Sequence, residues 1–273
     1  MYLILAIFII VIFVWYLYFF PSWTYTAIII EPRKHPALEL VLTNFTKNLD
    51  ARWNFIIFHG NQNGDFVKNV VNSAIPHEKH RIHYKNLDVD NLNIHSYSGL
   101  FYDPAFYDKI PTEMFLVFQT DTLISHQYKN VVYDFMKYDY VGAPWRSSFY
   151  RGYVGNGGLS LRRKSKMLEI LGAHDFSDFL DDQGNFIEED LFFCFFNRRV
   201  PMSRPSFEEA KRFSMEEVFH NGGSFGIHKP WLYLTGEELN HIEEYIPELK
   251  MLFDLWMREQ SRVSSGVSSD GTA

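Results

Sequence analysis

Three stretches of the chain bring together residue types that do chemistry. Asp121 follows the apolar run Phe115-Leu-Val-Phe118 after Gln119 and Thr120. From a strand end, a carboxylate can hold a hard divalent cation that also binds substrate phosphates; an acid there equally serves as a turn residue or helix cap. Gly155-Asn-Gly-Gly158 lacks the side chains that keep a ligand away from backbone N–H groups. Its spacing is neither that of a P-loop nor that of a dinucleotide-binding loop, and a plain turn accounts for it as well. The third is a pair of segments. Glu188-Glu-Asp190 precedes the apolar run Leu191-Phe-Phe-Cys-Phe-Phe196, where burial would turn a carboxylate into a general base. His228-Lys229 joins a metal-binding imidazole to a phosphate-binding ammonium.

These groups act together only if the fold gathers them. Thr26-Ala-Ile-Ile-Ile30 is a β-branched run closed by Glu31-Pro-Arg33, and Pro36 opens a helix on Leu38, Val41, Leu42 and Phe45. Trp53-Asn-Phe-Ile-Ile-Phe58 repeats the strand signal up to His59-Gly-Asn61, and Phe66, Val67, Val70 and Val71 predict a second helix. This βαβ rhythm predicts an α/β domain built on one mostly parallel sheet flanked by helices. Ligands are then expected at the C-terminal strand ends, where Glu31, Arg33 and His59 fall. Further on, 115–118 predicts a strand, 128–138 a helix, 140–145 a short strand and turn, and Leu159-Ser-Leu-Arg162 leads into a helix through Leu171. The run 191–196 fits a strand or a helix equally, and 207–213 reads as helical.

Composition bounds the rest. The 273 residues carry 26 Lys and Arg against 33 Asp and Glu, a net charge of −7, which argues against a nucleic-acid binder. Aromatic residues at 18% supply ample core. A lone Cys194 excludes an intrachain disulfide and a thiolate zinc cluster. Residues 1–20 are all apolar or aromatic, enough for a helix across a hydrocarbon core of roughly 30 Å, and Phe20-Pro-Ser-Trp23 lacks a small-residue cleavage site. We therefore expect a transmembrane anchor over 1–20, one domain over 24–260 and a disordered Ser/Gly-rich tail over 261–273. Topology is open: Arg33 and Lys34 favour a cytoplasmic domain, whereas the sequon Asn44-Phe-Thr46 favours a lumenal one.

In their order, Gln119-Thr-Asp121, Tyr140-Val-Gly-Ala-Pro-Trp145, Gly155-Asn-Gly-Gly-Leu-Ser-Leu-Arg162, Glu189-Asp-Leu-Phe-Phe193 and Phe225-Gly-Ile-His-Lys-Pro-Trp231 resemble a family of glycosyltransferase-like domains. That family is found in large DNA viruses, bacteria and eukaryotic microbes and has been catalogued as a domain of unknown function. More distantly, the pattern is similar to nucleotide-sugar glycosyltransferases of the GT-A fold, a Rossmann-like architecture. The resemblance implies an enzyme that takes a nucleotide-sugar donor and a glycan, lipid or protein acceptor. It implies Mn²⁺ or Mg²⁺ on Asp121 and His228, and Lys229 near the diphosphate. Asn156, Gly157 and Gly158 then line the sugar site, with Glu31, Arg33 and Thr120 also on the donor. Glu189 or Asp190 is the acceptor base, Asp190 being preferred because it directly precedes the apolar run. A base opposite the leaving group further implies inversion at the anomeric carbon. Gln119 departs from the family's Asp-x-Asp pattern, since an amide is a poorer cation ligand than a carboxylate. This leaves open a noncatalytic membrane-tethered glycan- or nucleotide-binding protein.

Other features read as structural. His77, His80 and His83 lie among Glu78, Lys79 and Arg81 after Pro76, a solvated segment rather than a metal site. Glu208-Glu209, Glu216-Glu217, Glu237-Glu238 and Glu243-Glu244 read as exposed helix faces. Trp145 and Trp231 suit sugar stacking or core packing equally.

Overall fold

The computed structural model describes residues 23–146 and 153–264. In chain order, the β-branched run forms β1 (Tyr25–Ile30), and Leu38, Val41, Leu42 and Phe45 form the buried stripe of α1 (Leu38–Asn48). β2 (Trp53–His59) and α2 (Gly64–Ala74) repeat the unit, and β3 (Ile82–Asn86) follows. Two short helices, α3 (Ile94–Leu100) and α4 (Pro104–Asp108), lead to β4 (Met114–Phe118) and β5 (Thr122–Ile124). β6 (Tyr140–Val141), β7 (Leu159–Arg163) and α5 (Lys164–Ala173) come next. α6 (Glu189–Leu191) passes directly into a π-helical turn, Phe192–Phe196. The chain ends with α7 (Phe207–Ala210), β8 (Ser214–Met215), β9 (Gly226–His228), α8 (Gly236–Glu243) and α9 (Leu249–Ser264).

The main sheet has six strands in the order β3-β2-β1-β4-β7-β6. β3, β2, β1 and β4 are parallel, β7 is antiparallel to β4, and β6 is antiparallel to β7. All strands but β7 therefore run one way, as the βαβ rhythm predicts. Both faces are covered, which is why the central strands are apolar throughout. In β1, Ala27 and Ile29 face the core under α1, α2 and α8, while Ile28 and Ile30 face the core made by Phe101, Phe106, Met167 and Phe192. The sheet is not single, however. β5, β9 and β8 form a second, three-stranded sheet that the sequence reading did not foresee. Strands of two or three residues are too short to show a period.

Other differences have local causes. The helix expected over 128–138 is a 3₁₀ segment, Lys129–Phe135. The ambiguous run 191–196 is helical, and the Asn197 amide bonds the Phe192 carbonyl five residues back at 2.7 Å. The solvated reading of the histidine segment misses Arg81, which is buried and donates to the carbonyls of Thr46 (2.8 Å) and Asp50 (2.9 Å), tying the edge of the sheet to α1. α9 runs to Ser264, into the segment expected to be an irregular tail. The anchor expected over 1–20 lies outside the described residues; among the described residues no helix is long and apolar enough to cross a membrane.

Candidate active site

β1 and β4 are adjacent and parallel, so the segments that leave their C-terminal ends emerge side by side. Between them lies a cleft of about 190 Å³ lined by Glu31, Arg33, Tyr97, Gln119, Thr120 and Asp121 among others. Glu31 is buried and grips Arg33 with both carboxylate oxygens, Oε1 to Nε and Oε2 to Nη2 at 2.9 Å each. It also accepts the Arg33 amide at 2.9 Å. Asn63 locks this corner from below: its Nδ2 donates to the carbonyls of Glu31 (2.9 Å) and Arg33 (2.8 Å), and its Oδ1 accepts the Gly60 amide (2.8 Å). Glu31 therefore holds Arg33 at the cleft rather than offering a free carboxylate. His59 turns onto its neighbour, with Nδ1 2.8 Å from the Gly60 carbonyl.

The small sheet starts at the edge of this cleft, where Asp121 runs into β5. Its ladder sets His228 against Thr122, and this register brings the imidazole to Asp121. His228 Nε2 lies 3.3 Å from Asp121 Oδ1 as an ion pair, and neither atom has a further partner. On the other side Nδ1 faces Asn156 Oδ1 at 3.0 Å and Glu216 Oε1 at 3.2 Å. Burial favours a neutral His228, but the carboxylates of Asp121 and Glu216 on either side carry its pKa up to about 9. Desolvation likewise opposes ionisation of Asp121, and His228 and Lys229 overcome it, holding the acid down to about 2. Lys229 adopts a left-handed backbone (φ 32°), donates its amide to the Asp121 carbonyl at 2.9 Å and brings Nζ to 3.9 Å from Glu216.

Glu216 is the largest departure from the sequence reading. Expected on an exposed helix face, it is 2% exposed, and its Oε2 is without a partner. It follows β8 into the interior, and the doubled acid Glu216-Glu217 hid it, because a run of like charges normally marks a solvated surface.

The glycine loop connects His228 to the acids. A Cβ on Gly158 would lie 2.2 Å from His228 Cε1, and one on Gly157 would lie 2.9 Å from Glu189 Oε1 and 3.0 Å from Asp190 Cβ. These glycines are thus required by side chains that pack onto the loop. The Gly157 amide donates to Asp190 Oδ2 at 2.7 Å, and Asn156 Oδ1 accepts the Gly158 amide at 3.1 Å while facing His228. Asp121, His228, Asn156, Gly158, Gly157 and Asp190 thereby form one chain of contacts. The two acids differ in their surroundings. Glu189 pairs with buried Arg162 at 2.9 Å and accepts from Ser98 Oγ at 3.1 Å. Arg162 is itself set between the rings of Phe101 and Tyr140, 4.4 and 4.9 Å from their centroids. Asp190 also accepts its neighbour Leu191's amide at 2.7 Å, yet burial and then the charge of Glu189 push its pKa up to about 7.

Asp121 and a His228 that has given up its proton would suit a divalent cation. Two ligands at right angles on an ion with bonds of about 2.1 Å stand about 3 Å apart, close to the 3.3 Å between His228 Nε2 and Asp121 Oδ1. Among the described residues no cluster of three or more His, Cys, Asp or Glu side chains is arranged to hold a metal alone. Phosphate oxygens and water would complete the shell of an ion held by this pair. Trp145 is core, 5% exposed, and Trp231 packs on Phe253 and Trp256 with centroids 5.7 and 5.8 Å away.

A family model described as protein of unknown function (DUF5672) matches residues 81–228. No curated protein matches the sequence. Among solved structures, the apo glycosyltransferase GlyE of Streptococcus pneumoniae TIGR4 is similar with a TM-score of 0.50 and 8% identity, over 87% of this chain and 64% of that one. TarS of S. aureus aligns with a TM-score of 0.41 and 9% identity over 62% of this chain and 53% of that one. The mannosyltransferase PcManGT of Pyrobaculum calidifontis, in complex with GDP-Man and Mn²⁺, aligns with a TM-score of 0.40 and 13% identity over 54% and 46%. The chain spans about half to two thirds of the length of these structures. The likeness to GlyE shows the fold, an α/β glycosyltransferase fold with a mixed sheet flanked by helices.

Proposed function

The chain belongs to the DUF5672 family, and on that premise we propose that it is a glycosyltransferase moving a sugar from a nucleoside-diphosphate donor to a hydroxyl of a glycan, lipid or protein. The observation that carries this reading is the meeting of Asp121, His228 and Asp190 around one glycine loop, beside a cleft at the C-terminal strand edge. Arg33, Thr120 and Lys229 border the place where a diphosphate would lie, and two fixed cations there favour the negative charge that develops on the leaving group. A Mn²⁺ or Mg²⁺ ion held by Asp121 and His228 would neutralise that charge further.

Asp190 is the base in this reading. Its carboxylate takes the acceptor hydroxyl's proton as the acceptor oxygen bonds the anomeric carbon. The bond from that carbon to the diphosphate oxygen breaks, and the nucleoside diphosphate leaves with the electron pair. Attack from the side opposite the leaving group inverts the anomeric centre. An acid with a pKa near the working pH is suited to this task. Glu189, committed to Arg162 and Ser98, acts as a positioning residue that raises the proton affinity of Asp190. The proposal includes attachment to a membrane through the apolar residues 1–20.

Gln119 in place of an acid favours the rival reading of a binding protein without turnover. Hydrolysis of UDP-, GDP- and TDP-sugars with and without Mn²⁺ separates the two. We expect turnover in the wild type that falls at least a hundredfold in both Asp121→Ala and Asp190→Ala. Donor binding without turnover in the wild type would overturn the transferase reading.

A further inference from the structure

Beyond Asp190 lies a cavity that this reaction leaves unused. It encloses about 290 Å³, near the roughly 300 Å³ at which small-molecule sites begin. Phe193, Val200 and Met202 make its apolar wall, and Arg198 and Arg204 supply its charge. Cys194, also in the wall, comes four residues after Asp190 along the same helical run, and both touch the glycine loop. Asp190 takes the Gly157 amide, and Cys194 Sγ lies 3.8 Å from the Gly155 carbonyl. Four residues of helix rise about 6 Å, so the cavity wall at Cys194 stands about one helical turn from the base.

The two arginines are held but not neutralised. Arg204 donates to the carbonyls of Cys194 and Val154. Arg198 reaches the Tyr153 hydroxyl at 3.3 Å and stands 5.2 Å from the Phe195 ring centroid. Nearby Arg199 is paired with Asp178 at 3.0 Å, whereas no carboxylate among the described residues pairs with Arg198 or Arg204. Tyr153 and Val154, which face them, are uncharged. In a chain with a net charge of −7, two guanidinium groups that no carboxylate among the described residues pairs, set at a cavity with one apolar wall, suit an anion.

We propose that this cavity receives an acceptor bearing an anionic group, a carboxylate or a phosphate, next to the hydroxyl that Asp190 deprotonates. The assignment to an acceptor rests on the transferase reading; the anion site itself does not. Ligand-observed NMR titration of the full chain with methyl glucuronide, glucose 1-phosphate and methyl glucoside tests it. The wild type should bind at least one of the anionic ligands ten times more tightly than the neutral glucoside, and the better of the two identifies the anion. Arg198→Gln, at an exposed side chain, should remove that margin, and Arg198→Lys should retain part of it. Equal binding of all three ligands, or a margin unchanged in Arg198→Gln, would overturn the proposal. Loss of the margin in Arg198→Gln from a chain that hydrolyses no nucleotide sugar would keep the anion site and sink the transferase reading. Hydrolysis without the margin would do the reverse.

Discussion

Asp190 has two backbone amides on its oxygens and a second acid at its side, and burial outweighs the amides. Because its proton is held up to about 7, kcat/KM should rise with pH through an apparent pKa near 7 and level off above it. Asp190→Asn should abolish that limb and lower turnover by about 10²–10⁴-fold. The same shift acts on stability. A folded-state pKa above the unfolded value near 3.8 gives a contribution present below that value and lost as pH rises through about 7. The melting temperature of the wild type should therefore fall relative to that of the Asn variant between pH 4 and pH 8, by roughly 2–4 °C for each kcal/mol lost. Gly158 offers a second residue-scale test. Gly158→Ala forces a methyl into the His228 ring and should weaken nucleotide-sugar binding at least tenfold in a thermal-shift titration. Gly172→Ala, in α5 with open space around it, should instead add about 0.5–1 kcal/mol of stability in denaturant melts.

Among the elements, those with a long period were legible and those with a short one were not. β1, α1, β2, α2, β4 and the strand-to-helix step from β7 into α5 were read from apolar spacing, because each buries several residues on a fixed repeat. β5, β8 and β9 offer two or three residues apiece, and only the ladder between them reveals their role. That is also why Asp121 and His228 were visible as chemical types while Glu216, Arg162 and Asn63, which hold the site in place, were not. A buried charge looks like a surface charge in a sequence, and its partner is set by strand order. The joint between β7 and α6 makes this measurable. Arg162→Met leaves Glu189 buried with Ser98 alone and should lower stability by about 3–5 kcal/mol in equilibrium unfolding. Adding Glu189→Leu should restore much of that loss without restoring turnover.

For the molecule as a whole, the described α/β domain starts at Trp23 and carries its own two cores, one on each face of the main sheet. Removal of residues 1–20 should leave its melting transition within a few degrees of the full chain while releasing it from membranes. The full chain should sediment with membranes and require detergent for extraction. A full chain found in the soluble fraction would sink the anchor and leave the domain's chemistry untouched.

The rung that joins Thr122 to His228 spans about a hundred residues of sequence, whereas the last strand of the main sheet is complete at Arg163. A nascent chain leaving the ribosome at ~5–20 residues per second therefore carries every strand of the main sheet for seconds before His228, and the α8 residue that covers one face, exist. A product cut short before β9 should be blind to nucleotide sugars and cleaved by protease on the sheet face that α8 would have covered.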